Sequence, residues 1–226
     1  MIGNWLVSAW LASPLAGDPP QLDAVLAWEL SRRLGSCHHL KLGRDTDIKN
    51  IPPVPLPLSK ATLVGQDVFR CSSPILPDPL ADWHDHAAKR FDTDMAAWTL
   101  RPSERKSLLI ASGPYKMRFV PVRLRLVPRI GWFIRGDRKE VWKLLKGVQA
   151  IGSRRGHGYG LVSRWEFTEQ PEDYSLLAPW KGQRVLMRPV PVGPHLDGVK
   201  GYRRTFAACT YPYWHPQNYQ EVAAPC

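Results

Sequence analysis

Apolar and polar positions alternate at the start of the chain. Trp5, Val7, Ala9 and Leu11 share one face of this stretch, and the opposite face also carries apolar side chains. A period of two with apolar character on both sides is typical of a β-strand that is covered on both faces. The pattern predicts a buried first strand over residues 4–11, which ends before Pro14.

A helical period follows this strand. The apolar stripe that carries it consists of Leu22, Val25, Leu26, Leu30 and Leu34. Asp18 stands before Pro19 and can accept hydrogen bonds from the free N–H groups of a first helical turn. Gly35 suits the end of a helix. We predict a helix that begins at Asp18 and ends at Gly35.

The middle of the chain has weaker patterns. Residues 45–60 contain four prolines within six consecutive positions, which predicts an extended loop because each proline removes a hydrogen-bond donor. Residues 61–70 are predicted to form a short strand, and residues 71–79 a loop. Residues 81–99 are predicted to contain a helix, whereas residues 101–117 give no clear prediction.

Alternation returns near residue 120. One face of this segment carries Val120, Val122, Leu124 and Leu126. Arg123 and Arg125 lie on the other face, so we predict that both arginines project from the same surface of a sheet. Residues 130–134 are predicted to form a further strand.

A second helix is predicted after Asp137, whose side chain can cap it. Its core side is formed by Val141, Leu144, Leu145 and Val148. Its outer side is a basic ridge of Arg138, Lys139, Lys143 and Lys146. A glycine-rich turn at residues 152–160 follows, and residues 161–167 alternate like a strand.

The predicted order is strand, helix, strands, basic helix, glycine-rich loop and strand. This order is compatible with a ferredoxin-like unit, in which an antiparallel sheet carries two helices on one face. We therefore predict an α+β fold. Residues 1–170 would form this domain, with an inserted, thumb-like loop region at about 71–117. Residues 171–226 would form a C-terminal extension that packs on the core.

Charge adds a binding partner to this picture. The chain of 226 residues has 31 Lys and Arg against 20 Asp and Glu, a formal charge of +11. Residues 101–155 hold 15 of the basic residues and three acids, a net charge of +12, so the other 171 residues together carry −1. A charge concentrated in one segment indicates a binding face for a polyanion, whereas the simpler alternative is a solvated charged surface.

Composition excludes several other classes of protein. No apolar run approaches the roughly 18 residues of a membrane span. A secretory leader requires basic residues near its start, whereas the first basic residue of this sequence is Arg32. The four cysteines show no CxxC spacing, which argues against a disulfide framework or a zinc ribbon. We expect a soluble, cytoplasmic protein with reduced thiols, without a cofactor and without contact to a membrane.

The most informative motif is the segment GSRRGHGYG at residues 152–160. Its four glycines allow close approach of the backbone to a ligand and expose N–H groups that can bind phosphate. Arg154 and Arg155 add two planar donors. The spacing matches neither the Walker nor the dinucleotide-binding pattern. The simpler alternative is a tight connection from helix to strand, which explains the glycines but not the paired arginines.

Three segments of the chain resemble a known family. They are ASPLAGDPPQLDAVLAWELSRR near the start, GSRRGHGYGLVSRWEF in the middle and YPYWHPQN near the end. They are similar to the RAMP superfamily of CRISPR-associated RNA-binding proteins, and within it to the Cas5-like subunit of type IV CRISPR effector complexes. Residues 40–115 contain no matching motif. The resemblance implies a ferredoxin-like RAMP core, related to the RRM fold.

The resemblance also implies a role. The chain would be a noncatalytic subunit that binds the 5′ handle of a CRISPR RNA (crRNA) and caps one end of a filament of backbone subunits. Its partners would be the crRNA, the backbone and large-subunit-like proteins, and target DNA within the complex. The loop residues that would lie against the handle are Ser153, Arg154, Arg155, Gly156, His157, Gly158, Tyr159 and Gly160. Arg123, Arg125, Lys143 and Lys146 would contact phosphates, and His157 and Tyr159 are the candidates for stacking on bases.

Two other functions stay open. Metal-independent RNA cleavage needs a base, an acid and a cation, which His157 and Tyr159 could supply together with Lys116 or Tyr115. The first alternative is therefore an endoribonuclease that processes precursor crRNA. The second alternative is a basic RNA-binding protein unrelated to CRISPR systems.

Metal binding is not predicted. The possible ligands are Cys37, His38 and His39 in one group and His84, Asp85 and His86 in another. Neither group supplies a complete set of four ligands, so we expect no metal site.

Overall fold

The structure is a computed structural model that describes residues 1–35, 54–89, 116 and 118–226. The fold is mixed α+β with mostly antiparallel sheets. The α-helices in these ranges are α1 (Leu22–Arg33) and α2 (Arg138–Leu145). The strands in these ranges are β1 (Ile2–Leu11), β2 (Leu15–Ala16), β3 (Lys60–Leu63), β4 (Gln66–Phe69), β5 (Ala81–Lys89), β6 (Arg118–Leu126), β7 (Arg129–Asp137), β8 (Val162–Glu169), β9 (Leu177–Trp180), β10 (Gln183–Leu186), β11 (Val190–Pro191), β12 (Val199–Lys200), β13 (Tyr202–Ala208) and β14 (Tyr219–Pro225).

The central sheet is antiparallel and has the strand order β7-β1-β8. Val7 of β1 pairs with Trp132 of β7 on one side and with Phe167 of β8 on the other. The main core combines this sheet face with the apolar sides of both helices, represented by Leu26 of α1 and Leu145 of α2. The predicted first strand is confirmed, and its residues Val7 and Ala9 lie in the main core.

A further segment runs along the outer edge of β7. Residues 58–75 form isolated bridges to this strand at Leu58, Cys71 and Ile75. The predicted single strand over residues 61–70 is wrong, since this part is the hairpin of β3 and β4. The hairpin turns at Val64 and Gly65, which both have positive φ, as a tight two-residue turn requires.

The first helix begins later than predicted. Gln21 occupies its N-cap, whereas the Asp18 carboxylate accepts a hydrogen bond from Arg125. The consecutive Pro19 and Pro20 explain the error, because a residue that precedes proline is kept out of the α region. The helix cannot start before the second proline.

The second helix begins as predicted, because the Asp137 side chain accepts from the N–H groups of the first turn. Its predicted core residues are buried and its basic outer residues are exposed. Arg33 of α1 bonds the carbonyl oxygens of Lys143 and Leu144, which satisfies the last turn of α2. Among the described residues, no helix is long and apolar enough to cross a membrane.

The predicted helix at residues 81–99 is wrong over its described part. Residues 81–89 form β5, which pairs antiparallel with β6 from Ala81 opposite Leu126 to Lys89 opposite Arg118. Local alanines and aspartates do not favour a strand, but pairing with the β-branched and aromatic residues of β6 overrides local propensity. Residues 90–99 lie outside the described residues, as do residues 45–53 of the predicted proline-rich loop.

The C-terminal residues form two small sheets, of orders β12-β10-β9 and β11-β14-β13. The side chain of Arg188, only 1% exposed, joins them to the core. It donates to the carbonyl oxygens of Cys71 and Cys209, at 3.0 and 2.7 Å, and to the Tyr213 hydroxyl at 2.7 Å. That hydroxyl donates to Asp23 of α1. This buried group, the Arg188 cluster, connects the C-terminal region to both the sheet edge and the first helix.

Candidate nucleic-acid interface

The glycine-rich loop at residues 152–160 has a tightly defined backbone. Its tip is one turn of 3-10 helix, Arg155–His157, and Arg154 before this turn is left-handed. At its base the Ile151 N–H donates to the Gly160 carbonyl oxygen at 2.9 Å. Gly160 has a φ of +65°, and a Cβ atom there would overlap the carbonyl oxygen of Ile151. The closing position therefore requires glycine.

Residues 13–17, which connect β1 to the first helix, hold the loop in place. Ser153 donates both its N–H, at 3.0 Å, and its hydroxyl, at 2.8 Å, to the carbonyl oxygen of Ala16. The N–H of Gly160 donates to the carbonyl oxygen of Pro14 at 2.8 Å. The loop is fixed at both ends by backbone contacts, so its tip is held in position before any ligand binds.

The tip presents donors to solvent. Residues 155–158 are exposed. The N–H groups of His157 and Gly158 donate within the turn. The N–H groups of Arg154, Arg155 and Gly156 have no acceptor among the described residues. Amides that project from such a turn form a concave surface suited to an anion.

The two arginines of the loop point to different sides. The Arg155 guanidinium lies 4.6 Å from the ring centroid of Trp28 on α1, which is a cation–π contact. Arg154 lines a cleft on the opposite side of the loop, against β5 and β6. A ligand strand that crosses the tip would therefore meet a guanidinium on each side.

The cleft that Arg154 lines, called here the histidine cleft, has a volume of about 370 Å³. It is lined by Asp85, His86, Ala88, Val122, Arg154, His157 and Tyr159. The Tyr159 hydroxyl lies 3.5 Å from Oδ2 of Asp85, and the His86 ring stacks on Phe119 at 4.4 Å between centroids. The structure thus brings the predicted stacking residues His157 and Tyr159 together with a histidine that the sequence placed on a helix.

The two strand arginines lie next to the segment that holds the loop, and both are paired with acids. Arg123 forms two-pronged hydrogen bonds to Asp82, which lower the pKa of this carboxyl below its ordinary value. Arg125 is only 14% exposed and donates to the carbonyl oxygen of Gly17 at 2.7 Å and to Asp18 at 3.1 Å. Arg125 therefore fastens β6 to residues 13–17, whereas Arg123 keeps an exposed side chain.

The two predicted lysines belong to the outer side of α2. Lys143 and Lys146 are exposed at the end of α2, where Lys143 pairs with Glu140 at 2.7 Å. The carbonyl oxygen of Lys143 accepts a hydrogen bond from Arg33 of α1, which lies about 7.5 Å along the helix axis from Trp28. In the described ranges no hydrogen bond or ion pair links either lysine to residues 152–160.

Metal ligands do not converge in the described part of the chain. No group of three or more His, Cys, Asp or Glu side chains there could hold a metal ion. Cys37, His38 and His39 lie outside it. Burial raises the pKa of Cys71 to about 12, so this thiol stays protonated and is a poor ligand or nucleophile. The other described cysteines, Cys209 and Cys226, are also free of disulfides.

Sequence reasoning missed two residues of this surface. Trp28 lies within the helix that the apolar stripe predicts, and nothing local distinguishes it from a core residue. His86 was assigned to a helix, and only the pairing of β5 with β6 carries it to the loop. Both positions depend on contacts between segments far apart in the chain.

Comparison with known proteins bears on identity. None of the curated proteins matches the chain. A family model, described as CRISPR type IV associated protein Csf3, matches residues 78–225. This stretch contains the β5–β6 hairpin, α2, the glycine-rich loop and the C-terminal sheets, and it is more than half of the chain. The protein therefore belongs to the Csf3 family of type IV CRISPR-associated proteins.

Proposed function

We propose that the protein is a noncatalytic RNA-binding subunit of a type IV CRISPR ribonucleoprotein. It holds the 5′ handle of the crRNA and caps one end of the filament of backbone subunits. The observation that carries this proposal is the glycine-rich loop, whose tip presents exposed amides and two arginines from a base fixed by Ala16 and Pro14. Single-stranded RNA is held in such sites by phosphate contacts and by stacking of bases.

The strand order supports a ferredoxin-like RAMP core. The second strand of such a unit would lie outside β7, where residues 58–75 run. The first and last core strands would be β1 and β8, which are neighbours in the sheet. The glycine-rich loop directly precedes β8. In this assignment the helices cover one face and the loop lies at the end of the sheet.

The proposal divides the predicted contact residues into two groups. Arg154 and Arg155 contact the phosphates of the handle, together with the free amides of the tip. Arg125 positions the loop through residues 13–17, since its guanidinium already bonds Gly17 and Asp18. Arg123 shares its guanidinium with Asp82, so part of its charge is already balanced before a phosphate binds. Lys143 and Lys146 form a separate basic surface at the end of α2.

A binding titration over a salt series tests the proposal. The probe is a labelled crRNA with the repeat-derived handle of the host locus. The Arg154→Ala, Arg155→Ala double variant is expected to bind more weakly. Its slope of log affinity against log salt is expected to be smaller by about 1.4, because each lost phosphate contact on a single strand removes about 0.7.

The matched control is Arg203→Ala with Arg204→Ala, two exposed arginines on β13. This control removes the same charge and is expected to keep the wild-type slope. Equal slopes for the loop variant and the wild type would reject the loop as the phosphate site. A crRNA with a scrambled handle separates recognition of the handle from general RNA binding.

The endoribonuclease alternative has one observation in its favour, the presence of His86, His157 and Tyr159 in the histidine cleft. Lys116 is exposed, and Tyr115 lies outside the described residues. Incubation of the protein with repeat RNA in EDTA separates the functions. Intact RNA supports the noncatalytic proposal, whereas specific cleavage that His157→Ala abolishes would support the nuclease. Membership of the Csf3 family removes the alternative of a protein unrelated to CRISPR systems.

A further inference from the structure

A second cleft, the aromatic cleft, lies on the Arg155 side of the loop. It has a volume of about 350 Å³, within the range of pockets that bind small molecules. Its walls come from α1, from the backbone of the loop and from the segment before β14. The aromatic members are Trp28, Tyr211 and Trp214, and Arg155 closes one side.

The chemistry of the walls suits a flat aromatic ligand. The Arg155 guanidinium already covers one face of Trp28 at 4.6 Å. Burial raises the pKa of Tyr211, so its hydroxyl stays protonated and can donate. The remaining wall is apolar, formed by Pro20, Ala24 and Val25. Aromatic rings and guanidinium planes are the groups on which unpaired bases stack.

Charge distinguishes this cleft from two other concave surfaces of the described chain. None of the described residues that line it is acidic. The histidine cleft contains Asp85, and a larger groove beside α2 contains Asp137 and Glu166. A base that enters a cleft brings its flanking phosphates with it, and of these three surfaces the aromatic cleft is the one whose described lining residues include no carboxylate. The absence of carboxylates disfavours a basic peptide, and the aromatic walls favour a nucleic acid, whose bases can stack, over an acidic peptide.

Exposure of Trp214 shows that the cleft has an open apolar surface. Trp214 is 46% exposed, which is high for a large apolar residue. Trp28 and Tyr211 are half-buried. Rings held at the mouth of a cleft are placed to gain contact area when a planar ligand covers them.

We propose that the aromatic cleft binds one unpaired nucleobase of the single-stranded RNA that crosses the glycine-rich loop. The base stacks against the indole rings, and Arg155 joins the cleft to the phosphate contacts at the tip. This inference rests on the proposed function. Because the lining is mostly apolar and aromatic, the cleft recognises the flat face that every unpaired base offers.

The test uses crRNA in which 2-aminopurine replaces each handle nucleotide in turn, because stacking quenches its fluorescence. In the wild type, one position is expected to be quenched on binding. Trp214→Ala is expected to restore this fluorescence and to weaken binding by about 5- to 150-fold, the range for one stacked base. The salt slope is expected to stay unchanged, since no phosphate contact is removed. Trp214→Phe is expected to recover most of the quenching.

The matched control is Trp180→Ala. Trp180 is 64% exposed and also has a cation nearby, Lys181 at 5.9 Å, but it lies on β9 outside the cleft. This control is expected to bind RNA like the wild type. Thermal unfolding of both alanine variants establishes that each is folded during the titration.

Three results would overturn the inference. If Trp214→Ala keeps the affinity and the quenching of the wild type, the cleft does not bind a base. In that case a reduced salt slope in the Arg154→Ala, Arg155→Ala variant would still support the proposed function. Loss of a protein subunit from the complex, with RNA binding intact, would make the cleft a protein-docking site. Failure of the wild type to bind the crRNA would reject the proposed function and the inference together.

Discussion

Replacing Gly160 with alanine tests how the glycine-rich loop is closed. The residue has a φ of +65°, and its added Cβ atom would lie closer to the Ile151 carbonyl than real Cβ contacts permit. The loop base must then open. Two hydrogen bonds depend on this closure, from Ile151 N–H to the Gly160 carbonyl and from Gly160 N–H to the Pro14 carbonyl.

The expected loss of stability follows from these contacts. A left-handed conformation costs an L-residue about 1–2 kcal/mol. Each lost hydrogen bond adds about 0.5–1.5 kcal/mol. Together they lower the free energy of unfolding by roughly 2–5 kcal/mol, a large part of the roughly 5–15 kcal/mol of a typical domain.

Gly156→Ala is the matched control in the same loop. Gly156 does not have a positive φ, and a Cβ atom there would meet nothing within 4 Å. Alanine at a compatible glycine restricts the unfolded chain, so the control is expected to be neutral or more stable by about 0.4–1 kcal/mol. Only Gly160→Ala is therefore expected to lower the free energy of unfolding.

Urea unfolding followed by tryptophan fluorescence measures both variants, and a crRNA titration follows under conditions where each is folded. Gly160→Ala is expected to unfold at lower urea and to bind RNA more weakly. Gly156→Ala is expected to match or exceed the wild type in stability. The same unfolding midpoint for Gly160→Ala and the wild type would refute the account of loop closure.

Two further predictions concern stability. Arg188→Met removes the cation of the buried Arg188 cluster and is expected to lower the free energy of unfolding in urea by about 3–5 kcal/mol. The control, Arg204→Ala, breaks an exposed pair with Glu221 at 3.6 Å and should lower it by at most about 1 kcal/mol. Equal losses in the two variants would contradict a stabilising role of the Arg188 cluster. Burial alone would raise the pKa of Asp173, but hydrogen bonds led by those of Ser175 lower it below its ordinary value. The contribution of Asp173 to the stability of the folded protein is therefore present above about pH 4 and is lost as the pH falls through the lowered pKa. The difference in unfolding free energy between the wild type and Asp173→Asn should narrow in acid. A difference that stays constant from pH 7 to pH 3 would contradict the lowered pKa.

Sequence patterns predicted the elements whose signals are local. β1 and α2 followed from their periods and from the Asp137 cap, because burial on one side imposes a repeat on the chain. β5 could not be predicted in this way. Its pairing partner, β6, ends at Leu126, 45 residues after β5 begins at Ala81, and local propensity carries no information about that pairing.

The candidate site also contains one part with a local sequence signal and one part without. The glycine-rich loop was predictable because its glycines and its arginine pair are adjacent in sequence. The aromatic cleft was not, because Trp28 and Trp214 are separated by most of the chain and meet only after folding. A tryptophan in an apolar stripe looks like a core residue until the surface around it is known.

Charge along the chain overstates what the folded surface can offer to RNA. The net charge of +12 on residues 101–155 counts Arg123 and Arg125 as free cations, yet both pair with acids outside that segment, Asp82 and Asp18. Binding that depends on salt reflects the phosphates that a protein neutralises, and an arginine whose charge a carboxylate already balances neutralises less of a phosphate's charge. The salt slope should therefore follow the residues at the loop tip rather than the charge of the whole segment. For the same reason Asp82→Asn, which frees Arg123, would raise that slope if Arg123 faces the RNA.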